Sequence, residues 1–281
     1  MIEWRVPTKA AAQKVRPDSE TVMRLVAPLA LALIRALAPY RLDPLLIVVL
    51  HSALGLLAAL LIARASYPLW LLAALLLLVK TVLDNVDGGL ARATGQVTVM
   101  GRYLDTVLDT LVNLALFLAL AAHGSLLVSL VAYGLLILIL SLRFNAQRLY
   151  REARQEGEPP GQHAKAGAPG WLIAPFRGFY GLVLAPQDRL LERLDRAIFA
   201  RLSGKQPTDA PEGWRLVWNG MISTAPLVNL GLSTQLVGLS LFLLIGLPYG
   251  YVISLFVQAL YVLLVQLARA LSFRRYLRQR G

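Results

Sequence analysis

The stretch that decides the fold covers residues 68–122 and reads PLWLLAALLLLVKTVLDNVDGGLARATGQVTVMGRYLDTVLDTLVNLALFLALAA. It contains two long apolar runs, 68–83 and 103–122, each close to the ~20 residues with which a helix crosses a bilayer. The charged residues of this stretch all lie between residues 80 and 109, that is, from the end of the first run to the start of the second. The stretch therefore predicts two antiparallel membrane helices with a polar region where they meet.

Further apolar runs cover residues 42–63, 126–142 and 227–267. The last run contains Gly246, Leu247, Pro248 and Tyr249 near its middle, which predicts two helices joined by a tight turn. With 57% hydrophobic residues and a mean hydropathy of +0.60, the chain is more apolar than a soluble domain of this length. The predicted fold class is an all-α integral membrane protein with six transmembrane helices.

Residues 22–39 are apolar but interrupted by Arg24, Pro28 and Arg35, which favours an amphipathic helix in the membrane interface. A short seventh span is the alternative. We divide the chain into a cytoplasmic or interfacial N-terminal segment (1–41), a six-helix transmembrane domain (42–270) and a basic cytoplasmic tail (271–281). The domain includes a cytoplasmic loop and an amphipathic segment at 143–222, where leucines recur at near-helical spacing among arginines.

The net charge of +12 comes from basic residues grouped before the first span, between the fourth and fifth spans, and after the sixth. The opposite connections hold only Arg64 and His123 as basic residues. By the positive-inside rule, both termini are expected in the cytoplasm, as in a multi-pass protein of the cell (inner) membrane. This distribution gives no reason to expect a nucleic-acid partner. Because the chain has no cysteine, disulfides and cysteine-bound metals are excluded.

Four aspartates lie where the two helices of the opening stretch meet. Asp84 and Asp87 are three residues apart and Asp105 and Asp109 four apart, so each pair shares one helix face. Four carboxylates in a membrane protein repel one another unless cations lie among them. Because we expect no cysteine or histidine near the cluster, an all-oxygen site for Mg²⁺, Mn²⁺ or Ca²⁺ is favoured over zinc.

The spacing of these residues resembles the signature of the CDP-alcohol phosphotransferase (CDP-alcohol phosphatidyltransferase) family, class I. Every fixed position is present, in the pattern Asp84-x2-Asp87-Gly88-x2-Ala91-Arg92-x8-Gly101-x3-Asp105-x3-Asp109. The looser likeness covers about residues 42–267, whereas the N-terminal segment and residues 171–214 have no counterpart.

The resemblance implies a membrane enzyme with two divalent ions, Mg²⁺ or Mn²⁺, and its metal ligands and substrate contacts can be carried over by position. It implies metal ligands at Asp84, Asp87, Asp105 and Asp109, with Asp109 also the base that takes the proton from the acceptor hydroxyl. It implies a donor-nucleotide site at Gly88, Ala91, Arg92, Thr98 and Gly101. It also implies a homodimer among membrane lipids, with the active site facing the cytoplasm.

The function expected from this resemblance is transfer of a phosphatidyl group from CDP-diacylglycerol to a small polar alcohol, with release of CMP. Glycerol 3-phosphate, inositol phosphate and serine are the acceptors considered. Alternatives are transfer of a head group from a soluble CDP-alcohol to a lipid alcohol, and a carboxylate-lined ion or metal transporter. Two further residues stay open: Lys80 contacts a phosphate, counters the aspartate cluster or extends to the interface, and His51 is interpreted as a packed, hydrogen-bonded residue.

Overall fold

The computed structural model describes residues 20–154 and 167–279, and every regular element in these ranges is helical. Predictions for residues 1–19, 155–166 and 280–281, including part of the N-terminal segment, part of the cytoplasmic loop and the end of the tail, lie outside the described residues. The helices are Thr21–Leu37 (α1), Pro44–Ile62 (α2), Tyr67–Thr94 (α3), Val99–Ala121 (α4), Leu126–Ala153 (α5), Gly170–Phe179 (α6), Ala185–Ser203 (α7), Glu212–Trp218 (α8), Met221–Thr224 (α9), Leu232–Leu244 (α10) and Pro248–Arg278 (α11).

The predicted all-α membrane fold is confirmed. Each of the six predicted spans has a matching helix, namely α2, α3, α4, α5, α10 and α11. The predicted turn in the last run is present: Gly246 has a positive φ of 75°, which favours glycine, and Pro248 begins α11. Two helices continue past their apolar runs, α3 to Thr94 and α5 to Ala153, so their polar ends extend beyond the apolar part of the bundle.

The set of helices long and apolar enough to cross a membrane differs from the predicted one. Among the described residues, six helices are long and apolar enough to cross a membrane. They include Thr21–Tyr40, which is α1 with its short 3₁₀ continuation, but they do not include α10. Helix α10 has 13 residues, a length of ~20 Å against a hydrocarbon core of ~30 Å. It qualifies only together with 212–230, from which it is bent by 45°, and this pair raises the count to seven. The interfacial position of α1 stays a prediction.

The break before α10 has a local cause. Ala225–Leu230 is a 3₁₀ segment with Pro226 in its first turn, and Gly231 is extended. Proline removes one backbone donor from a helix, and the extended glycine ends the helical path. The apolar run at 227–267 therefore begins with a bend, which the apolar composition alone did not reveal.

The helices that match the predicted spans share one core. At the contact of α2 with α3, small residues such as Ala58, Ala59, Ala73 and Ala74 allow the backbones to approach closely. Leucines and aromatic residues fill the remaining space, including Leu77, Leu116, Phe117, Leu120, Leu136, Leu239 and Tyr251. Outward-facing leucines such as Leu46, Leu60, Leu127 and Leu263 are more than half exposed, as expected for side chains in contact with lipid.

A buried carboxylate fixes the start of α1 on the bundle. Glu20 forms an ion pair with Arg143 on α5 (3.1 Å), and its other oxygen accepts hydrogen bonds from the Thr234 backbone N–H (2.9 Å) and hydroxyl (2.7 Å) on α10. The Thr21 N–H donates to Asn229. Arg143 and Thr234 therefore join α1 to α5 and α10.

The described part of the segment between α5 and α10, residues 167–231, is mostly helical and is attached to α11. The guanidinium of Arg269 on α11 is buried and donates to the Trp218 carbonyl (2.8 Å), to Asn219 (2.9 Å) and to Asp195 on α7. Beside it, the Phe199 and Phe273 rings stack, and the Trp218 ring packs edge-on against both. On α7, Leu190, Leu194 and Ile198 remain exposed, so an apolar surface is available for the predicted contact with the membrane.

Candidate active site

A tight connection brings the two aspartate pairs together. Helix α3 ends at Gly95, whose positive φ of 69° suits glycine, and α4 begins after Thr98, whose side chain caps the helix by accepting from the Gly101 N–H (3.0 Å). Only residues 95–98 separate the helices, so α3 and α4 are antiparallel neighbours. This geometry places Asp84 and Asp87 opposite Asp105.

Four side chains form a group that could hold a metal ion. His51, Asp84, Asp87 and Asp105 each offer one ligand atom, and these atoms all lie within 4.8 Å of one another. Three of the four predicted aspartate ligands are therefore in place, and carboxylate oxygens at this spacing suit Mg²⁺ or Mn²⁺. The fourth, Asp109, lies outside this group and forms an ion pair with Lys80, with 2.7 Å between Oδ1 and Nζ.

The expectation that no histidine lies near the cluster is wrong. His51, on α2 and completely buried, has its Nε2 atom 3.2 Å from Asp87 Oδ2 and 3.7 Å from Asp105 Oδ1. The residue is 36 positions before Asp87 in sequence and reaches the site because α2 packs along α3 and α4. The interpretation of His51 as a packed, hydrogen-bonded residue agrees with these contacts, but the contacts are to the acidic cluster itself.

A cavity of about 140 Å³ adjoins the cluster between α2, α3 and α4. All five residues of the predicted donor site line it, together with Asp87 and Asp105 of the cluster; the five are Gly88, Ala91, Arg92, Thr98 and Gly101. Further lining residues that the sequence did not single out are Asp43, Pro44, Leu45, Val48, Gln96, Val97 and Arg102. Six of the eight signature residues thus lie around one cavity, all except Asp84 and Asp109, although their spacing alone showed only that they share two helices.

Arg92 is placed to bind an anion in this cavity. Its guanidinium crosses Gly88, because a Cβ atom at Gly88 would be 3.2 Å from Arg92 Nη1. The Nη2 atom is buried and has no hydrogen-bond partner among the described residues. A buried donor without a partner is costly, and a phosphate oxygen would satisfy it.

A second, larger cavity of about 780 Å³ lies on the other side of the cluster, between α4, α5 and the π-helical turn Tyr180–Leu184 that joins α6 to α7. It shares Arg102 and Asp105 with the first cavity and is also lined by Asp109. Most of its wall is apolar or aromatic, including Tyr133, Leu136, Ile137, Leu140, Phe144 and Leu184. Burial raises the pKa of Tyr180, and the neighbouring Asp188 carboxylate adds to the rise.

The segment that had no counterpart in the resemblance contributes to this second cavity. Tyr180, Leu184, Gln187 and Asp188 belong to it, and the Tyr180 ring contacts that of Tyr103 on α4 with 5.9 Å between centroids. The Gln187 amide nitrogen is buried without a partner in the described part of the chain. No pattern in the sequence indicates these contacts, because the segment is far from the motif along the chain.

Comparison with known proteins agrees with this geometry. Residues 41–176 match the family model of CDP-alcohol phosphatidyltransferase. The matched range contains α2, α3, α4 and α5, with all four aspartates and both cavities' residues from these helices. Residues 41–176, slightly less than half of the chain, are therefore similar to the CDP-alcohol phosphatidyltransferase family.

Three curated relatives match part of the chain. An archaetidylinositol phosphate synthase of Pyrococcus horikoshii is 41% identical over 64 residues, which cover 21% of this chain and 34% of the relative. Another archaetidylinositol phosphate synthase, of Aeropyrum pernix, is 35% identical over 104 residues, or 34% of this chain and 52% of the relative. A bifunctional IPC transferase and DIPP synthase of Aquifex aeolicus is 38% identical over 90 residues, 31% of this chain and 20% of the relative. The chain spans about half or less of the length of these relatives.

Proposed function

We propose that this protein is a membrane phosphatidyltransferase that moves a phosphatidyl group from CDP-diacylglycerol to a small polar alcohol and releases CMP. The observation that carries the proposal is the meeting of two cavities at one acidic cluster. One cavity is lined by every donor residue of the signature, the other by Asp109, and both by Asp105. A transferase needs two substrate sites on either side of its reacting groups, and this arrangement supplies them.

The residues of the first cavity suit a CDP-linked donor. Arg92 offers an unpaired guanidinium nitrogen to a phosphate oxygen, and Gly88, which has no side chain, leaves room for that guanidinium to lie across α3. The Thr98 hydroxyl caps α4 at the cavity wall and lies near any pyrophosphate held by Arg92. Gly101 and Ala91 keep the wall free of larger side chains.

The chemistry assigned to the cluster is an in-line displacement at phosphorus. Two Mg²⁺ or Mn²⁺ ions held by Asp84, Asp87, Asp105 and Asp109 would supply the positive charge that stabilises the departing phosphate. Asp109 accepts the proton of the acceptor hydroxyl. At the same time, the oxygen of that hydroxyl forms the new bond to the phosphatidyl phosphorus. The bond from that phosphorus to the bridging oxygen breaks, and CMP leaves with this oxygen.

Inositol phosphate is the first acceptor to test, because two of the relatives are named archaetidylinositol phosphate synthases. Glycerol 3-phosphate and serine complete the panel. A second candidate, transfer of a head group from a soluble CDP-alcohol to a lipid alcohol, is favoured by one observation: the cavity beside Asp109 is walled mainly by apolar and aromatic residues. An apolar wall suits an acceptor that carries a hydrocarbon chain.

The experiment is CMP release by purified protein in lipid vesicles with Mn²⁺ or Mg²⁺. CDP-diacylglycerol is offered with each small acceptor, and CDP-alcohols are offered with diacylglycerol. Release that needs one small acceptor and stops with chelator supports the proposal and identifies the acceptor. Release only from the CDP-alcohol arm replaces it by the second candidate, and no release in either arm contradicts both.

We also propose that the protein lies in the cell membrane as a homodimer, with the active site and both termini in the cytoplasm. The cytoplasmic orientation is supported by the grouping of basic residues. Arg189 and Arg193 on α7 and Lys205 in the connection after it belong to one of these groups. Because the chain lacks cysteine, single-cysteine variants can test the orientation. Lys205→Cys should be protected from an impermeant maleimide in intact cells and Arg64→Cys labelled, and the reverse pattern would contradict the orientation. Cross-linking in native membranes tests the dimer.

A further inference from the structure

Lys80 is a fully buried cation inside the proposed active site. Its side chain is 1% exposed and lies on α3, one helical turn before Asp84. Its Nζ atom donates to Asp109 Oδ1 at 2.7 Å and to His51 Nδ1 at 3.3 Å. A lysine is rarely buried unless it is paired, so this contact set needs a reason beyond packing.

The fold provides a passage for the lysine side chain. A Cβ atom at Gly55 on α2 would be 3.1 Å from Lys80 Cδ and 3.3 Å from Lys80 Cε. It would also be 2.5 Å from Val112 Cγ1 on α4, which is closer than real Cβ contacts allow. The three helices therefore converge at a position without a side chain, and the lysine stem crosses there toward Asp109.

The hydrogen bonds of Lys80 determine the role of His51. An ammonium group can only donate, so His51 Nδ1 must accept from it. In a neutral imidazole the other nitrogen then carries the hydrogen, and His51 Nε2 donates toward Asp87 Oδ2 at 3.2 Å. A protonated ring nitrogen has no lone pair for a metal. His51 thus acts as a hydrogen-bond link between Lys80 and Asp87, although it lies within the group of potential ligands.

We propose that Lys80 is a positioning residue that serves as a built-in cation of the acidic cluster. It holds Oδ1 of Asp109, which leaves Oδ2 for the acceptor proton and the proposed ion, and through His51 it orients Asp87. As a positive charge beside the cluster, it also limits the affinity for divalent cations, so that Asp109 stays available as a base. This inference rests on the proposed use of the aspartates as metal ligands.

The test distinguishes an effect of the Lys80 charge from a loss of structure by measuring two quantities, the Kd for Mn²⁺ and the rate of CMP release. In Lys80→Met, one positive charge is removed from the cluster. We expect the Kd for Mn²⁺, measured without substrate by the resonance signal of free Mn²⁺, to fall at least about tenfold. Acceptor-dependent CMP release should fall by about a hundredfold or more. A merely structural lysine would weaken Mn²⁺ binding and turnover together, and that result would overturn the proposal.

Two further variants complete the design. Lys80→Arg keeps the charge, so its Kd for Mn²⁺ should stay within about threefold of wild type; tightening as large as in the methionine variant would contradict the charge argument. Lys205→Met removes the same charge from an exposed site on the connection after α7 and should leave both quantities unchanged. If Lys80→Met does not fold, Lys80→Gln replaces it with the same expected signs. Because Mn²⁺ binding is measured alone, a wild type inactive with every substrate pair would refute the proposed function without affecting this test.

Discussion

Replacing Arg92 by methionine tests the donor cavity most sharply. The variant keeps an unbranched side chain of similar length and removes the guanidinium that crosses Gly88 and presents a buried, unpaired Nη2 atom to the cavity. A hydrogen bond to a charged partner contributes ~1.5–3 kcal/mol, so two bonds to one phosphate at the lower value give about 3 kcal/mol. At 1.36 kcal/mol per factor of ten, the Kd for CDP should rise about a hundredfold.

The assay is calorimetric titration of CDP into detergent-solubilised protein at saturating Mn²⁺. Arg92→Lys keeps the charge but loses the paired geometry, and we expect an intermediate rise of about tenfold. Arg64→Met, which removes an arginine from the connection between α2 and α3 at the other end of the bundle, is the matched control and should bind CDP as wild type does. A rise of less than about threefold in Arg92→Met would refute the assignment of Arg92 to the phosphate.

Three further predictions concern catalysis and stability. Asp109→Asn should lower CMP release about a thousandfold with CDP binding within about threefold of wild type, because the amide cannot accept the acceptor proton. Arg269→Met should lower the free energy of unfolding by about 3 kcal/mol, which would be seen as a lower Tm. The substitution removes the buried ion pair with Asp195 and the hydrogen bonds to Trp218 and Asn219 at the end of α8. Thr98→Val should lower it by about 1 kcal/mol through loss of the α4 cap, and Thr98→Ser should restore it.

Each of these predictions has its own contrary result. Turnover of Asp109→Asn above a few per cent of wild type would remove Asp109 from the role of base. For Arg269, the control is Arg274→Met on the same helix, where the side chain is exposed; an equal fall in Tm for both would show that the buried contacts add nothing. A serine variant as unstable as the valine variant would show that the Thr98 hydroxyl is not what stabilises the start of α4.

The motif could be interpreted from the sequence because its residues lie on two consecutive helices. The three- and four-residue spacings place each aspartate pair on one face, and the short connection at 95–98 makes the helices neighbours. The same local reasoning predicted the turn at Gly246 and Pro248. For residues that are close to one another along the chain, the spacing was therefore sufficient to predict which side chains lie together.

Contacts between distant helices could not be predicted in this way. His51 lies in an apolar run that shows no polar face, so nothing in the run indicates which side packs on the acidic cluster. Lys80 was a candidate because it is one turn from Asp84, but its burial depends on Gly55 of another helix. The position of α10 depends on a bend at Pro226 and Gly231 within a run whose composition is apolar throughout. Such features are set by tertiary packing.

The most direct test of the central claim is CMP release from CDP-diacylglycerol in lipid vesicles, measured for wild type and Asp109→Asn with Mg²⁺ and inositol phosphate. If the acidic cluster is the active site, we expect the wild type to release CMP, and this release should stop on chelation and return when Mg²⁺ is restored. The variant should release almost none at any Mg²⁺ concentration. Equal release by both proteins, or release by the wild type that chelation does not change, would contradict the assignment of the acidic cluster as the active site.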